Sequence, residues 1–195
     1  MAHNVTAERR ESFALLEDVI VLADIAMASS RPERIVPMLV EGLSGAIANV
    51  GPLPAWLLAT DSRGYVRREL YRSPEHDYQV LAITWAPGQG SAVHDHADTW
   101  GVEAVLQGEL EVVDYRIAGR RGALTALRPT DHRPLPAGSL IGLLPPHDLH
   151  ACRNASARVT AVSLHVYGRE LKEVRRYTQV EDGLYRSERT RLSTV

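Results

Sequence analysis

The chain has 195 residues, enough for one sizeable hydrophobic core and not for two. A 45% hydrophobic and 24% charged content is that of an ordinary globular protein, and a formal net charge of −2 gives no electrostatic case for nucleic acid or an anionic membrane as partner. A single cysteine, Cys152, excludes an internal disulfide and a cysteine-rich zinc site. The opening MAHNVTAERRESF lacks the apolar core of a signal peptide, and no stretch reaches the roughly 18 apolar residues of a membrane span; the expectation is one cytoplasmic domain.

From Thr6 to about Val50 the pattern is helical. Phe13, Leu15, Leu16, Val19, Ile20, Leu22, Ile25 and Ala26 recur at helical intervals, and Ser29–Pro32 breaks the run. A second helix carries Ile35, Met38, Leu39, Leu43 and Ile47, and Gly51-Pro52 ends it; Leu53–Ala59 stays open between helix and loop. After the turn-rich Asp61–Gly64 the period changes to two. Strands are predicted near Tyr65–Arg72, Tyr78–Trp85, Trp100–Leu106, Glu109–Ile117, Leu124–Arg128, Ser139–Leu144, His150–Arg153 and Arg158–Tyr167. Short strands without intervening helices predict an antiparallel sandwich or small barrel over 65–168, behind a mainly helical 1–60. The charged tail, 169–195, is expected to cover the barrel edge.

His94 and His96 stand two apart, so a strand would aim both imidazoles at one face. Such a pair is half of a metal site, and alone it is a weak signal. His150, delivered by the Pro-rich PPHDLH, is the best third ligand, and three histidines would leave open positions on a metal. Ser163, His165 and Tyr167 alternate on another strand, which makes them either an inward polar network or a solvent-facing side.

Gly88-x5-His94-x-His96 with Gly108 resembles the first motif of the cupin superfamily, and His150-x3-Asn154 resembles the end of the second. The glutamate usual four or five residues after the second histidine is replaced by Trp100-Gly101; Glu103 falls two residues late and is the less expected ligand. With YVRRELYR, SAVHDHADTWG, DLHACRN and VSLHVY, roughly Tyr65 to Tyr167 is similar to the cysteine dioxygenase family. The resemblance implies an all-β cupin core, a double-stranded β-helix or small jelly-roll barrel, with the N-terminal helical region packed on it. It implies Fe(II) held by His94, His96 and His150, a substrate carboxylate held by Arg67 with support from Tyr65, and Tyr167, His165 and Ser163 as catalytic residues. The reaction implied is oxidation of a small thiol by O2, with L-cysteine giving cysteine sulfinic acid.

Gly101 stands where vertebrate members place a cysteine crosslinked to the tyrosine matching Tyr167, so no thioether is expected here. HVYG resembles the related 3-mercaptopropionate dioxygenases, whereas Arg67 is of the arginine type. The substrate therefore stays open between cysteine and 3-mercaptopropionate or another carboxylated thiol, with a non-catalytic, small-acid-binding cupin as the third reading. Arg68 and Arg72 are read as surface charges, although a shifted register would make one of them the carboxylate binder. Trp85 and Trp100 are read as core, His147 as a turn residue and His76 as a loop residue; Cys152 lies beside the third ligand without a role.

Overall fold

A computed structural model describes residues 13–195, so the predicted helical residues Thr6–Ser12 and most of the opening MAHNVTAERRESF lie outside the described residues. Three helices come first: α1 (Leu15–Ala26), α2 (Pro32–Ala48) and the short α3 (Ala55–Leu58), which settles the open segment. Helix α2 starts on Pro32, where a missing N–H leaves nothing unpaired. Its buried stripe is Ile35, Val36, Leu39, Leu43 and Ile47; Met38, expected in that stripe, is exposed, as is Ile25 on α1. No described helix is long and apolar enough to cross a membrane.

Eleven strands follow in the described residues: β1 (Val66–Arg72), β2 (Gln79–Trp85), β3 (Val93–His94), β4 (Gly101–Gln107), β5 (Glu109–Arg121), β6 (Leu124–Pro136), β7 (Leu140–Leu143), β8 (His150–Arg153), β9 (Ala161–Tyr167), β10 (Glu173–Glu181) and β11 (Leu184–Arg191). One sheet runs β1-β2-β9-β4-β7. The other runs β10-β11-β6-β5-β8-β3 and closes on itself, because β3 pairs with both β8 and β10. This is an all-β cupin core, a small double-stranded β-helix, with a helical region packed on it.

The closing strands correct one expectation. The segment after 168 does not lie over an edge; β10 and β11 are members of the closed sheet. Their alternation is obscured because the outward positions carry mixed charges and the inward ones include polar residues, so the run reads as a solvated tail.

The five-stranded sheet is buried on both faces. Its outer face, with Val80, Ala82, Val102, Ala104, Val162, Leu164 and Val166, packs in one core with Leu16, Val19, Leu39 and Leu43 of the helices. Each of the valine and leucine side chains contributes about 1.5–3 kcal/mol on leaving water. The inner face looks towards the closed sheet. Cross-strand partners share a face, so Arg67, Ile83, Ser163 and Val105 form one inward row, and Leu81, His165 and Glu103 form the next. The row beyond joins Gln79, Tyr167 and Gly101.

Candidate metal centre

The three predicted ligand histidines converge. His94 on β3 sits directly opposite His150 on β8. His96 lies beyond the end of the two-residue β3, in a turn where Ala97 and Asp98 take φ of 53° and 60°; the expectation that one strand carries both imidazoles therefore holds only for His94. The ring centroids are 5.1 Å (His94–His96), 4.9 Å (His94–His150) and 4.9 Å (His96–His150) apart. One ligand nitrogen from each ring lies within 4.8 Å of the others.

The outer contacts orient these rings. The Nδ1 of His94 is 3.0 Å from the Ala92 carbonyl oxygen, and the Nδ1 of His96 is 3.1 Å from Asp148 Oδ2. The same Asp148 oxygen accepts the His96 backbone N–H at 2.9 Å. Both rings thus turn Nε2 inward, and the Nε2 of His96 is buried with no hydrogen-bond partner, as is the Nδ1 of His150. A buried nitrogen left in this state loses its hydration without replacement, unless a ligand such as a metal ion engages it. The donor set fits a divalent transition metal: neutral imidazoles, with no cysteine needed. Burial and the neighbouring His150 and His96 push the His94 imidazole well below its ordinary pKa, and burial takes His150 down to about 4. Both are therefore unprotonated and available as ligands at neutral pH.

The inner face of the other sheet meets this cluster with a polar chain. Ser163, His165 and Tyr167 on β9 are buried and point inward; the solvent-facing alternative does not hold. Trp85 Nε1 donates to Ser163 Oγ at 2.9 Å, and Ser163 Oγ is 2.7 Å from His165 Nε2. Trp85 is thus core and part of the network. His165 Nδ1 is 3.0 Å from Glu103 Oε1 and 2.9 Å from the Tyr167 oxygen. Facing a carboxylate, that nitrogen carries the proton, so Nε2 accepts from Ser163. The Tyr167 hydroxyl donates to Glu103 Oε1 at 3.0 Å. Every donor in the chain therefore leads to Glu103.

Glu103 belongs to the site more closely than its position in the motif suggests. It is buried, and Oε1 is 3.7 Å from His96 Nε2 and 3.9 Å from His150 Nε2. Burial by itself would raise its pKa, but His165, His150 and His96 outweigh burial and hold it well below the usual carboxylate range. Burial and the adjacent Glu103 push the Tyr167 phenol far up. Opposite Tyr167, Gly101 leaves the space the ring needs: a Cβ there would sit 2.9 Å from two ring carbons.

On the same inner face Arg67 is buried on β1, with hydrogen bonds of 3.5 Å to Thr194 Oγ1 and 3.4 Å to the Leu171 carbonyl. Burial lowers its pKa, and Tyr167 and Tyr65 act in the opposite direction. Among the described residues it makes no salt bridge. Tyr65 packs against Trp85 with centroids 4.6 Å apart and the rings tilted by 37°, and it accepts a hydrogen bond of 2.9 Å from Arg176. Arg68 is not a surface charge. It is buried on the helix-facing side, donating to Thr84 Oγ1 at 2.8 Å and the Ala59 carbonyl at 2.5 Å, which satisfies a guanidinium inside the fold and turns it away from the site. Arg72 is exposed and paired with Glu69 and Glu170. His147 lies in an exposed turn, and His76 in a loop beside Ser73. Cys152 is buried, its thiol pKa pushed up by burial; one ligand atom each of Glu103, His150 and Cys152 also lie within 4.8 Å of one another.

Asp148 was not singled out by the sequence, although its place in PPHDLH, two residues before a candidate ligand, is the signal that could have found it. Arg176 carries no such signal, since it lies in the charged tail.

The family described as Cysteine dioxygenase type I matches residues 55–180. Cysteine dioxygenase type 1 of Danio rerio is 26% identical over 112 residues, covering 57% of this chain and 55% of that protein; the chain spans about half the length of the curated relative it matches. Among solved structures, a Cupin_2 domain of an XRE family transcriptional regulator from Enterobacter cloacae is 21% identical, over 53% of this chain and 95% of that one, with a TM-score of 0.40. A double-stranded β-helix protein from Klebsiella pneumoniae is 18% identical, over 58% of this chain and 84% of that one, with a TM-score of 0.43.

Proposed function

The chain belongs to the cysteine dioxygenase type I family, and from that premise we propose that it is a non-haem iron(II) thiol dioxygenase that converts L-cysteine and O2 to cysteine sulfinic acid. The observation that carries this reading is a juxtaposition across two facing sheets. Three imidazoles converge from β3, β8 and the turn after β3, while a buried guanidinium that makes no salt bridge among the described residues, Arg67, shares the opposite face with Ser163, His165 and Tyr167.

Iron(II) held by His94, His96 and His150 would supply thiolate formation at neutral pH and a site for dioxygen. The protein's own contribution is orientation and a dry environment. Asp148 and the Ala92 carbonyl keep two of the imidazoles in the tautomer that turns Nε2 inward. Arg67 is placed to hold the substrate carboxylate by a bidentate, charge-assisted pair, an interaction its desolvated guanidinium otherwise lacks. Tyr65, wedged on Trp85, limits where that carboxylate can sit. Leu81 and Ile83 line the same inner face and help keep water out. Tyr167 is held by Glu103 on one side and His165 on the other, so its phenol oxygen is fixed beside the imidazole of His96, whose ring it stacks on at 5.6 Å.

Oxygen uptake by iron-loaded protein supplied with L-cysteine, 3-mercaptopropionate and other carboxylated thiols tests the reading. Cysteine-dependent uptake with sulfinate as product is the expected result. Turnover of 3-mercaptopropionate equal to or better than that of cysteine would move the substrate to the related class. An iron-loaded protein inert to every thiol would leave a small-acid-binding cupin.

A further inference from the structure

Beside Tyr65 lies a cavity of about 350 Å³ lined by four arginines, Arg63, Arg67, Arg176 and Arg191. Two of them face outward: Arg63 is 88% exposed and engaged by Asp61, and Arg191 is exposed. The other two belong to the inner faces of the two sheets. Arg67 is in register with Ile83 and, through it, with Ser163. Arg176, on β10, is directly opposite the metal-ligand candidate His94. Tyr65 stands at both: Arg176 donates to its hydroxyl at 2.9 Å, and its phenol bears electrostatically on Arg67.

Neither guanidinium makes a salt bridge among the described residues. Among the described residues Arg67 has only its two long hydrogen bonds, and Arg176 has only the Tyr65 hydroxyl; Glu188, its register partner on β11, makes no ion pair with it. Two like charges that face one cavity repel each other; on Arg67 the repulsion from Arg176 adds to the larger effect of burial, while Tyr167, Tyr65 and Glu69 act the other way. Charge-assisted pairing with carboxylates reverses that cost, and each guanidinium offers a planar fork for one carboxylate. A single carboxylate satisfies one fork and leaves the other unpaired.

We propose that Arg176 is a second carboxylate-binding residue, so that within the thiol dioxygenase reading the site prefers, over L-cysteine with its single carboxylate, a thiol carrying two carboxylates, one held by Arg67 and the other by Arg176, across Tyr65. The inference rests on the thiol dioxygenase reading for the thiol and on the cavity alone for the two carboxylates.

The two parts are separable by experiment. Isothermal titration of metal-free protein with succinate and with propionate reads the carboxylate preference without iron, thiol or turnover. Succinate is expected to bind at least tenfold more tightly than propionate, the scale of one added hydrogen-bonded charge pair. Arg176→Gln should erase that ratio, and Arg176→Lys should keep part of it, with circular dichroism confirming that both variants fold. Equal affinities in the unsubstituted protein, or a ratio that survives Arg176→Gln, would overturn the proposal. In iron-loaded protein, mercaptosuccinate should exceed 3-mercaptopropionate in kcat/KM by tenfold or more, and the reverse order would also overturn it. Absence of oxygen uptake with every thiol, alongside an intact succinate preference, would sink the dioxygenase reading and leave the diacid site standing.

Discussion

The hydroxyl of Tyr167 donates to Glu103 at 3.0 Å, so the only proton of the phenol is committed to a fixed anion rather than to the space between the imidazoles. That same carboxylate stands 3.7 Å from His96 Nε2 and brings a negative charge to the edge of the candidate metal site. Glu103→Gln keeps the shape and removes the charge. Iron(II) affinity, measured by competition with a chromogenic chelator, should fall by about ten- to a hundredfold. An unchanged affinity would separate Glu103 from the metal centre and leave it as a hydrogen-bond acceptor only.

Asp148 acts at one remove, through His96. Its carboxylate accepts from both the ring and the backbone of that residue, and the His96 contacts hold its pKa below the ordinary carboxylate value against the opposing effect of burial. Asp148→Asn should weaken iron binding by about ten- to a hundredfold while the fold persists. Restoration by Asp148→Glu would show that the carboxylate, not the local backbone, carries the effect.

Arg67 should govern substrate affinity. Arg67→Ala is expected to raise KM for a carboxylated thiol by the equivalent of about 2–5 kcal/mol, with a smaller change in kcat. Unchanged kinetics would remove the arginine from the substrate site. Arg68 could not take the role over, since it is hydrogen-bonded on the helix-facing side of the sheet.

Gly101→Ala tests the fit between β4 and β9. The added Cβ would meet Tyr167 Cδ1 and Cε1 at 2.9 Å and Leu143 Cδ1 at 3.4 Å, which forces the ring to shift inside a packed site. Overpacking of this kind costs about 1–3 kcal/mol, readable in urea unfolding of the metal-free protein. Stability equal to that of the parent would show that the ring moves freely, contrary to its two hydrogen bonds.

Metal-free protein should lose stability on acidification. The unfolded chain takes up a proton on each histidine near pH 6.5, whereas folded His150 does so only at about 4, and His94 is likewise depressed. Between those values the unfolded state binds more protons, so stability is complete above the upper one and falls as pH drops towards the lower. For His150 alone the loss is about 3 kcal/mol. Melting temperatures recorded from neutral pH down to about pH 4 give the check: a flat profile across that window would mean that the imidazoles are accessible to protons in the folded state.

The helices, most strands and the meeting of His94, His96 and His150 were legible because each leaves a local mark: a helical stripe, a two-residue period, a histidine spacing. Glu103 was underrated because the motif looks for its carboxylate at the position of Trp100 or Gly101, whereas strand alternation puts residue 103 on the same inward face as 101. Arg68 was misjudged for a different reason. Charge argues for solvent, and only the fold reveals that Thr84 and the Ala59 carbonyl satisfy it inside. The contact of Asp148 with His96 spans 52 residues, and that of Arg176 with Tyr65 spans 111; nothing local in either neighbourhood announces it.

The closing hairpin of β10 and β11 has a bearing on how such a protein diversifies. Every metal-ligand candidate lies before it in the chain, yet β10 delivers Arg176 to the register position of His94. The candidate metal centre and the proposed second carboxylate holder thus lie on separate lengths of polypeptide, joined by strand pairing and by the contact of Arg175 with Asp95. If Arg176 selects the acid as proposed, exchange of this one hairpin would retune that choice while leaving His94, His96 and His150 untouched, and a lineage that needed a new thiol would have had to rewrite very little of itself.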